Sequence, residues 1–458
     1  MGIVGLLIVF LLGLIVVHTL AGNVSSLLKV GVALPVGFGI NAFVMFGLDI
    51  IHVPLYYVSI VPGMDAIIIL MLAVYLFYRT SPLVYLLEWR LRLGQVIDGL
   101  LSRFHPAWVL LFGAVVWLVC AVVAQAFFWP VFIYDSITGF DFVAKTVLSE
   151  GTLNNSIFDP QYPLYTLRSV YPPLVALNFA FMYGIGFSSS HGVVALFYAS
   201  MAVSFYGVLR LYTTHFSAAL FTLLLIITPE YASFSILSSS NPVCAYYVSI
   251  GLLCLYVAYE RDAAAYSTIG MLLILFALWT RPEAVVFAAF AGVFALWTGI
   301  RKRAFVKPVV FGVVCLAVFA SWQMYVRLVL PVQLPETTVP VAVFDTDKLL
   351  RMLEKVVDVT FNTRYYGVVV FLFFAVMVMN IRNMIVYKDR LALLLLLCGG
   401  WAIYILIFYA IDTDFKPGST NWIEDAYRRG LFCFFPLMVF YVAVSRLSTK
   451  LFNQYLNF

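Results

Sequence analysis

Asp135 follows directly on an apolar run that ends FFWPVFI, in the order Tyr134-Asp135-Ser136. A carboxylate at such a boundary is partly desolvated and held at a fixed depth, which makes its anion a better proton acceptor. Asp141 stands six residues on and Lys145 four beyond that, so in a helix over 136–150 the two share a face. Plainer roles stay open: Asp135 as the N-cap of that helix, and Asp141 with Lys145 as a surface ion pair.

Other polar residues interrupt apolar chain in ways that suit phosphate chemistry. Arg168 precedes Tyr171-Pro172-Pro173-Leu174, where two prolines force a rigid, extended approach to the membrane. A guanidinium there suits a phosphate, which it can bond bidentately, or serves as an interfacial anchor for anionic lipid. Trp279-Thr280-Arg281-Pro282-Glu283 breaks a run otherwise apolar from about 269 to 300. A charge in such a run is expensive and points to function, although Arg281 and Glu283 could also simply pair at a helical hairpin. Asn241-Pro242 follows a serine-rich loop whose hydroxyls suit either a sugar or helix capping. Arg428 and Arg429 precede the apolar FCFFPLMVF, where lipid headgroups are the plainer partner.

The elements that must position these residues follow from composition. Of 458 residues 64% are hydrophobic and 11% charged, with mean hydropathy +1.02. Soluble domains carry roughly 25% charged residues, and a single soluble core stops growing near ~250–300 residues. Aromatics at 17% exclude disorder, and six scattered cysteines exclude a disulfide scaffold. An all-α polytopic membrane protein remains. About thirteen stretches are long enough to expect as spans: 3–21, 31–51, 55–78, 107–133, 191–210, 217–229, 242–259, 267–280, 284–300, 308–330, 366–386, 391–411 and 430–446. The first lacks the basic start of a signal peptide and is read as a span.

Placing the basic connector at 79–105 in the cytoplasm puts sixteen of the 27 Lys and Arg there against five acidic residues. The loops at 134–190, 331–365 and 412–429 then fall outside. Within the first, 174–187 is too short to span and is expected to lie on, or dip into, the outer leaflet. Two units are expected: 1–105, three leading helices with the basic connector, and 106–458, the module carrying the outer loop 134–190. The five histidines have no metal-ligand spacing, and no phosphate-binding G-x-x-x-x-G-K-[ST] or G-x-S-x-G occurs. The net charge of +5 reflects the cytoplasmic bias and implies no nucleic-acid partner.

The order of these features over about 107–446 resembles the integral-membrane C-type glycosyltransferase superfamily. Protein O-mannosyltransferases and lipid A aminoarabinose transferases belong to it. The resemblance runs from Tyr134-Asp135-Ser136 through Ser149-Glu150-Gly151, Tyr171-Pro172-Pro173-Leu174, Ser240-Asn241-Pro242 and Trp279-Thr280-Arg281-Pro282-Glu283 to Arg428, Arg429 and Pro436. It implies a C-type bundle of about 13 transmembrane helices, with juxtamembrane helices in the first outer loop of the catalytic module. The implied activity is transfer of a sugar from a polyprenyl-phosphate donor to a hydroxyl on a glycan, lipid or protein acceptor. Asp135 would be the general base or an acceptor-orienting carboxylate, with Asp141 the second acidic residue, and Arg281 a donor-phosphate contact. Pro172, Pro173 and Leu174 would form the outer wall, with Tyr171, Lys145, Arg168, Glu283, Asn241, Arg428 and Arg429 as further binding residues. Many relatives have Asp where this chain has Asn241, which weakens metal binding there. Asp135 and Asp141 permit a divalent cation (Mg or Mn) without requiring one. The implied place is the plasma (inner) membrane, with the site on the exoplasmic or periplasmic side. A lipid-linked sugar flippase is the alternative reading.

Overall fold

The computed structural model describes residues 2–78, 106–132, 136–162, 170–332, 345–411 and 423–455. Among them all regular structure is helical. A lipid core offers backbone groups no water, so an apolar segment there bonds within itself and becomes a helix. Each of the thirteen apolar stretches is helical, but they are not equivalent. Nine described helices are long and apolar enough to cross a membrane. Two more count if each bent pair is one span: Val369–Met379 with Ile381–Tyr387, bent by 51°, and Ile423–Cys433 with Phe435–Val444, bent by 44°. The remaining two stretches form His215–Ile226 and Ala264–Ala277, of 12 and 14 residues. At 1.5 Å per residue these reach only about 20 Å, short of a ~30 Å hydrocarbon core.

Two helices sit at the centre. Of the most apolar window of Ser240–Arg261, 94% is buried, and of His191–Leu209, 83%. Pro106–Phe128, at 17%, and Val306–Leu328, at 22%, leave most of their surface to lipid. Close approach is built with glycine: a Cβ on Gly13 would lie 1.8 Å from the Ala33 carbonyl oxygen, so Gly2–Leu20 and Ser26–Ile50 touch backbone to backbone.

The leading helices pack into the rest of the bundle. Pro35 lies inside Ser26–Ile50 and has no N–H to offer the Gly31 carbonyl four residues back. The Tyr246 hydroxyl, from the central helix, donates to that carbonyl at 3.0 Å, and Ser204 lies 2.8 Å behind it. Tyr246 has one proton, so Ser204 donates to Tyr246. Tyr247 donates to the Pro35 carbonyl at 2.7 Å, and Asn41 Nδ2 to Asn178 Oδ1 at 2.9 Å. Asn178 belongs to Leu174–Gly184, the segment expected at the outer leaflet. That helix is enclosed by protein instead, buried from Leu174 through Met182, because Ser26–Ile50 and Asp141–Glu150 pack over it.

The charges separate by end. Ser240, Arg281 and Glu283 stand at one end of helices Ser240–Arg261 and Ala284–Lys302. Arg261, Asp262, Arg301 and Lys302 stand at the other, about 30 Å away at 1.5 Å per residue.

Candidate functional site

Asp141 opens helix Asp141–Glu150, where a carboxylate favours the positive end of the helix dipole. It is only 3% exposed, so its bond to Lys145 Nζ, at 2.8 Å, is not an ordinary surface pair, although Lys145 itself is 57% exposed. The Asp141 Oδ1 also accepts from the Tyr183 hydroxyl and, at 2.6 Å, from Ser190 Oγ. Three donors thus occupy most of its lone pairs. Burial, then the bond to Asp141, holds the Tyr183 phenol above its ordinary range, so it remains a donor.

Ser190 connects Asp141 to the serine loop. Its Oγ lies 2.6 Å from Ser238 Oγ. With the Ser190 proton committed to Asp141, the Ser238 hydroxyl is the donor between them. Ser136 Oγ donates to the Ser238 carbonyl at 2.5 Å, which anchors the segment opening at Ser136 on the same residue. Ser239 caps the central helix, accepting from Asn241 N at 3.3 Å and from Asn241 Nδ2 at 2.8 Å. Asn241 is therefore engaged in capping. Ser240 Oγ accepts from Arg281 Nη1 at 3.0 Å. Three consecutive serines thus bond three ways: to the Asp141 cluster, to their own helix and to Arg281.

Arg281 lies in the turn between Ala264–Ala277 and Ala284–Lys302, its side chain 12% exposed. Its Nε donates to the Glu283 carboxylate, and its guanidinium lies 5.7 Å from the Tyr171 ring centroid. Burial works against its charge most strongly of any one cause, but Glu283 together with smaller contributions from Tyr171, Cys244 and Tyr404 outweighs it, and its pKa is held above the ordinary range. The expected Arg281–Glu283 pair is thus present, and the arginine also reaches outward from it. The Tyr171-Pro172-Pro173-Leu174 segment meets this turn through its backbone, Leu174 N donating to Trp279 O at 3.0 Å. Trp279 is locked in turn by its Nε1 bond to Val318 O at 2.9 Å and by packing on Phe43, 4.1 Å between centroids.

Arg428 and Arg429 stand in a second group. Arg428 forms an ion pair with Glu230, Nε lying 2.9 Å from Oε1 without hydrogen-bond alignment, and its guanidinium lies 4.7 Å from the Tyr365 ring centroid. Arg429 Nε donates to the Asp425 carbonyl at 3.0 Å. Both side chains turn into protein. Burial raises the Glu230 carboxyl above its ordinary value against the pull of both arginines.

Asp135 and Arg168 lie outside the described residues. Among the described residues no three His, Cys, Asp or Glu side chains gather into a metal-binding set. Sequence reasoning took Ser238 only as one hydroxyl of the serine-rich loop, and it missed Tyr183, Ser190, Glu230 and Asp49. The Asp49 carboxylate accepts from Thr152 Oγ1 at 2.8 Å, Leu153 N at 2.7 Å and the Tyr325 hydroxyl at 2.5 Å. It pins the loop at Thr152 and Leu153 to Val306–Leu328. The signal was there, as a lone acid closing the apolar stretch 31–51. No protein-family model matches this chain, no curated protein matches it, and no solved structure matches it.

Proposed function

We propose that the protein is a membrane glycosyltransferase that moves a sugar from a polyprenyl-phosphate donor to an acceptor hydroxyl at the exoplasmic face of the plasma membrane. The observation that carries this reading is the Arg281 guanidinium. It is nearly enclosed at one end of the bundle, walled by Tyr171, and joined through the serine loop to the segment that follows Asp135.

In this reading the donor phosphate leaves as an anion and needs positive charge and donors rather than a proton. Arg281 supplies both. The Asp135 carboxylate accepts the proton of the acceptor hydroxyl as its oxygen bonds the anomeric carbon and the sugar–phosphate bond breaks. One direct displacement inverts the anomeric centre. Asp141 and Glu283 act as anchors: Asp141 holds the loop against the serines, and Glu283 orients Arg281. A lipid-borne donor accounts for a site at the membrane boundary.

The test is mass spectrometry of lipids and glycans from cells that lack the protein, complemented with wild type, Asp135→Asn or Arg281→Ala. The proposal expects accumulated lipid-linked sugar that only wild type clears. Asp135→Asn clearing it normally would refute the base assignment. A sugar product of retained configuration would refute the single displacement. Donor stranded on the cytoplasmic leaflet would favour the flippase.

A further inference from the structure

At the basic end of the bundle, far from Arg281, a cavity of about 250 Å³ opens between Ser240–Arg261, Ala264–Ala277 and Ala284–Lys302. Lys302, Lys307, Tyr259 and Thr298 line it. Lys302 Nζ bonds Asp262, the acid at its rim, while Arg301 donates to the Tyr259 hydroxyl at 3.1 Å and lies 4.3 Å from the Trp297 ring centroid. Arg301, Lys302, Arg303 and Lys307 fall within seven residues. With Asp262 counted against them, the cavity mouth keeps a surplus of positive charge.

A second, apolar groove of about 410 Å³ runs between Ala284–Lys302 and Val306–Leu328, and the two spaces share Pro308. Gly299 brings the helices together there, since a Cβ on it would lie 2.9 Å from Pro308 Cγ. Beyond that contact the groove is kept open by glycine on both sides. Gly292 and Gly312 line it, and a Cβ on either would meet no atom within 4 Å.

A cationic cavity and an apolar groove that meet at Pro308 along one helix, Ala284–Lys302, match one kind of molecule in a membrane. We propose that the two spaces together bind an anionic phospholipid, its phosphate between Lys302 and Lys307 and one acyl chain along Gly292 and Gly312. The ammonium groups supply the attraction to phosphate, and the groove supplies apolar area for the chain. This holds whether or not the protein transfers sugar.

Native mass spectrometry of the full-length protein in detergent, titrated with phosphatidylglycerol or phosphatidylcholine of matched chains, tests it. Phosphatidylglycerol should be retained preferentially and should raise Tm, and inorganic phosphate alone should not. Lys307→Gln should weaken retention roughly fivefold, while Lys307→Arg keeps it. Gly312→Leu, whose side chain fits the open groove, should lower retention with every charge intact and with the lipid-free Tm maintained. Equal retention of the two lipids overturns the proposal. So does wild-type retention by both Lys307→Gln and Gly312→Leu. A Tm rise with inorganic phosphate equal to that with phosphatidylglycerol would mark a free-anion site and overturn it as well.

Discussion

Arg281 Nη1 donates to Ser240 Oγ at 3.0 Å, two residues from the Ser238 hydroxyl that leads through Ser190 to Asp141. A buried cation and a buried anion therefore share one rigid turn without touching each other. Each has its own counter-ion, Glu283 for the arginine and Lys145 for the aspartate. That arrangement holds two charges at set positions.

Arg281→Ala should lower the transfer rate by about 10²–10³, the loss typical of removing one transition-state donor at a developing anion. Arg281→Lys should fall between, since the ammonium keeps the charge but cannot reach Ser240, Glu283 and a phosphate together with planar geometry. Turnover of a polyprenyl-phosphate sugar in membranes, with protein level and Tm matched, is the measurement. Equal rates for all three forms would remove Arg281 from the site.

Asp49→Asn should destabilise the loop at Thr152 and Leu153. The three bonds from Thr152, Leu153 and Tyr325 end on a charged acceptor, and such bonds contribute about 1.5–3 kcal/mol each. An amide offers one neutral oxygen instead of two charged ones, so the loop bonds lose their charge assistance and the Tyr325 hydroxyl must turn from donor to acceptor. We expect faster hydrogen exchange around Thr152 and Leu153 and a lower Tm. An unchanged exchange pattern would show that the loop is held by its other anchors.

How much of this was readable from residue order depends on the range of the interaction. The Asp141–Lys145 and Arg281–Glu283 pairs lie four and two residues apart and were expected from spacing alone. The Asp49–Tyr325 bond joins residues 276 apart, and no local pattern encodes that. Helix positions followed from apolar length, yet length could not say which helices sit at the centre. The same apolar alphabet serves lipid-facing Pro106–Phe128 and enclosed Leu174–Gly184. A segment of 174–187 looks interfacial when only lipid is considered as its solvent, and the protein provides another.

Glu230 gives a pH dependence of definite sign. Burial holds its carboxyl above the ordinary 4.5, although Arg428 and Arg429 pull it down. The folded chain therefore binds this proton more tightly than the unfolded chain. Its contribution to stability is fully present below about pH 4.5 and is lost as pH rises through the raised folded value. Tm measured against pH should fall for wild type relative to Glu230→Gln across that window. A relative rise instead would mean that the Arg428 ion pair outweighs burial.

Pro35 and Tyr246 supply a test by double-mutant cycle. Pro35 removes the helical donor for Gly31 O, and Tyr246 replaces it from another helix. Tyr246→Phe leaves that buried carbonyl without its donor and also strands the Ser204 hydroxyl, at a cost of about 1–3 kcal/mol. In a Pro35→Ala background the new N–H can close the i→i−4 bond itself, so the same Tyr246→Phe change should cost distinctly less. The two effects should therefore fail to add by roughly 1 kcal/mol, within the range for residues that share a partner. Denaturant or thermal unfolding of the four forms in one detergent gives the coupling. Simple additivity would show that the tyrosine stabilises by packing alone, because only a shared carbonyl makes one change compensate the other.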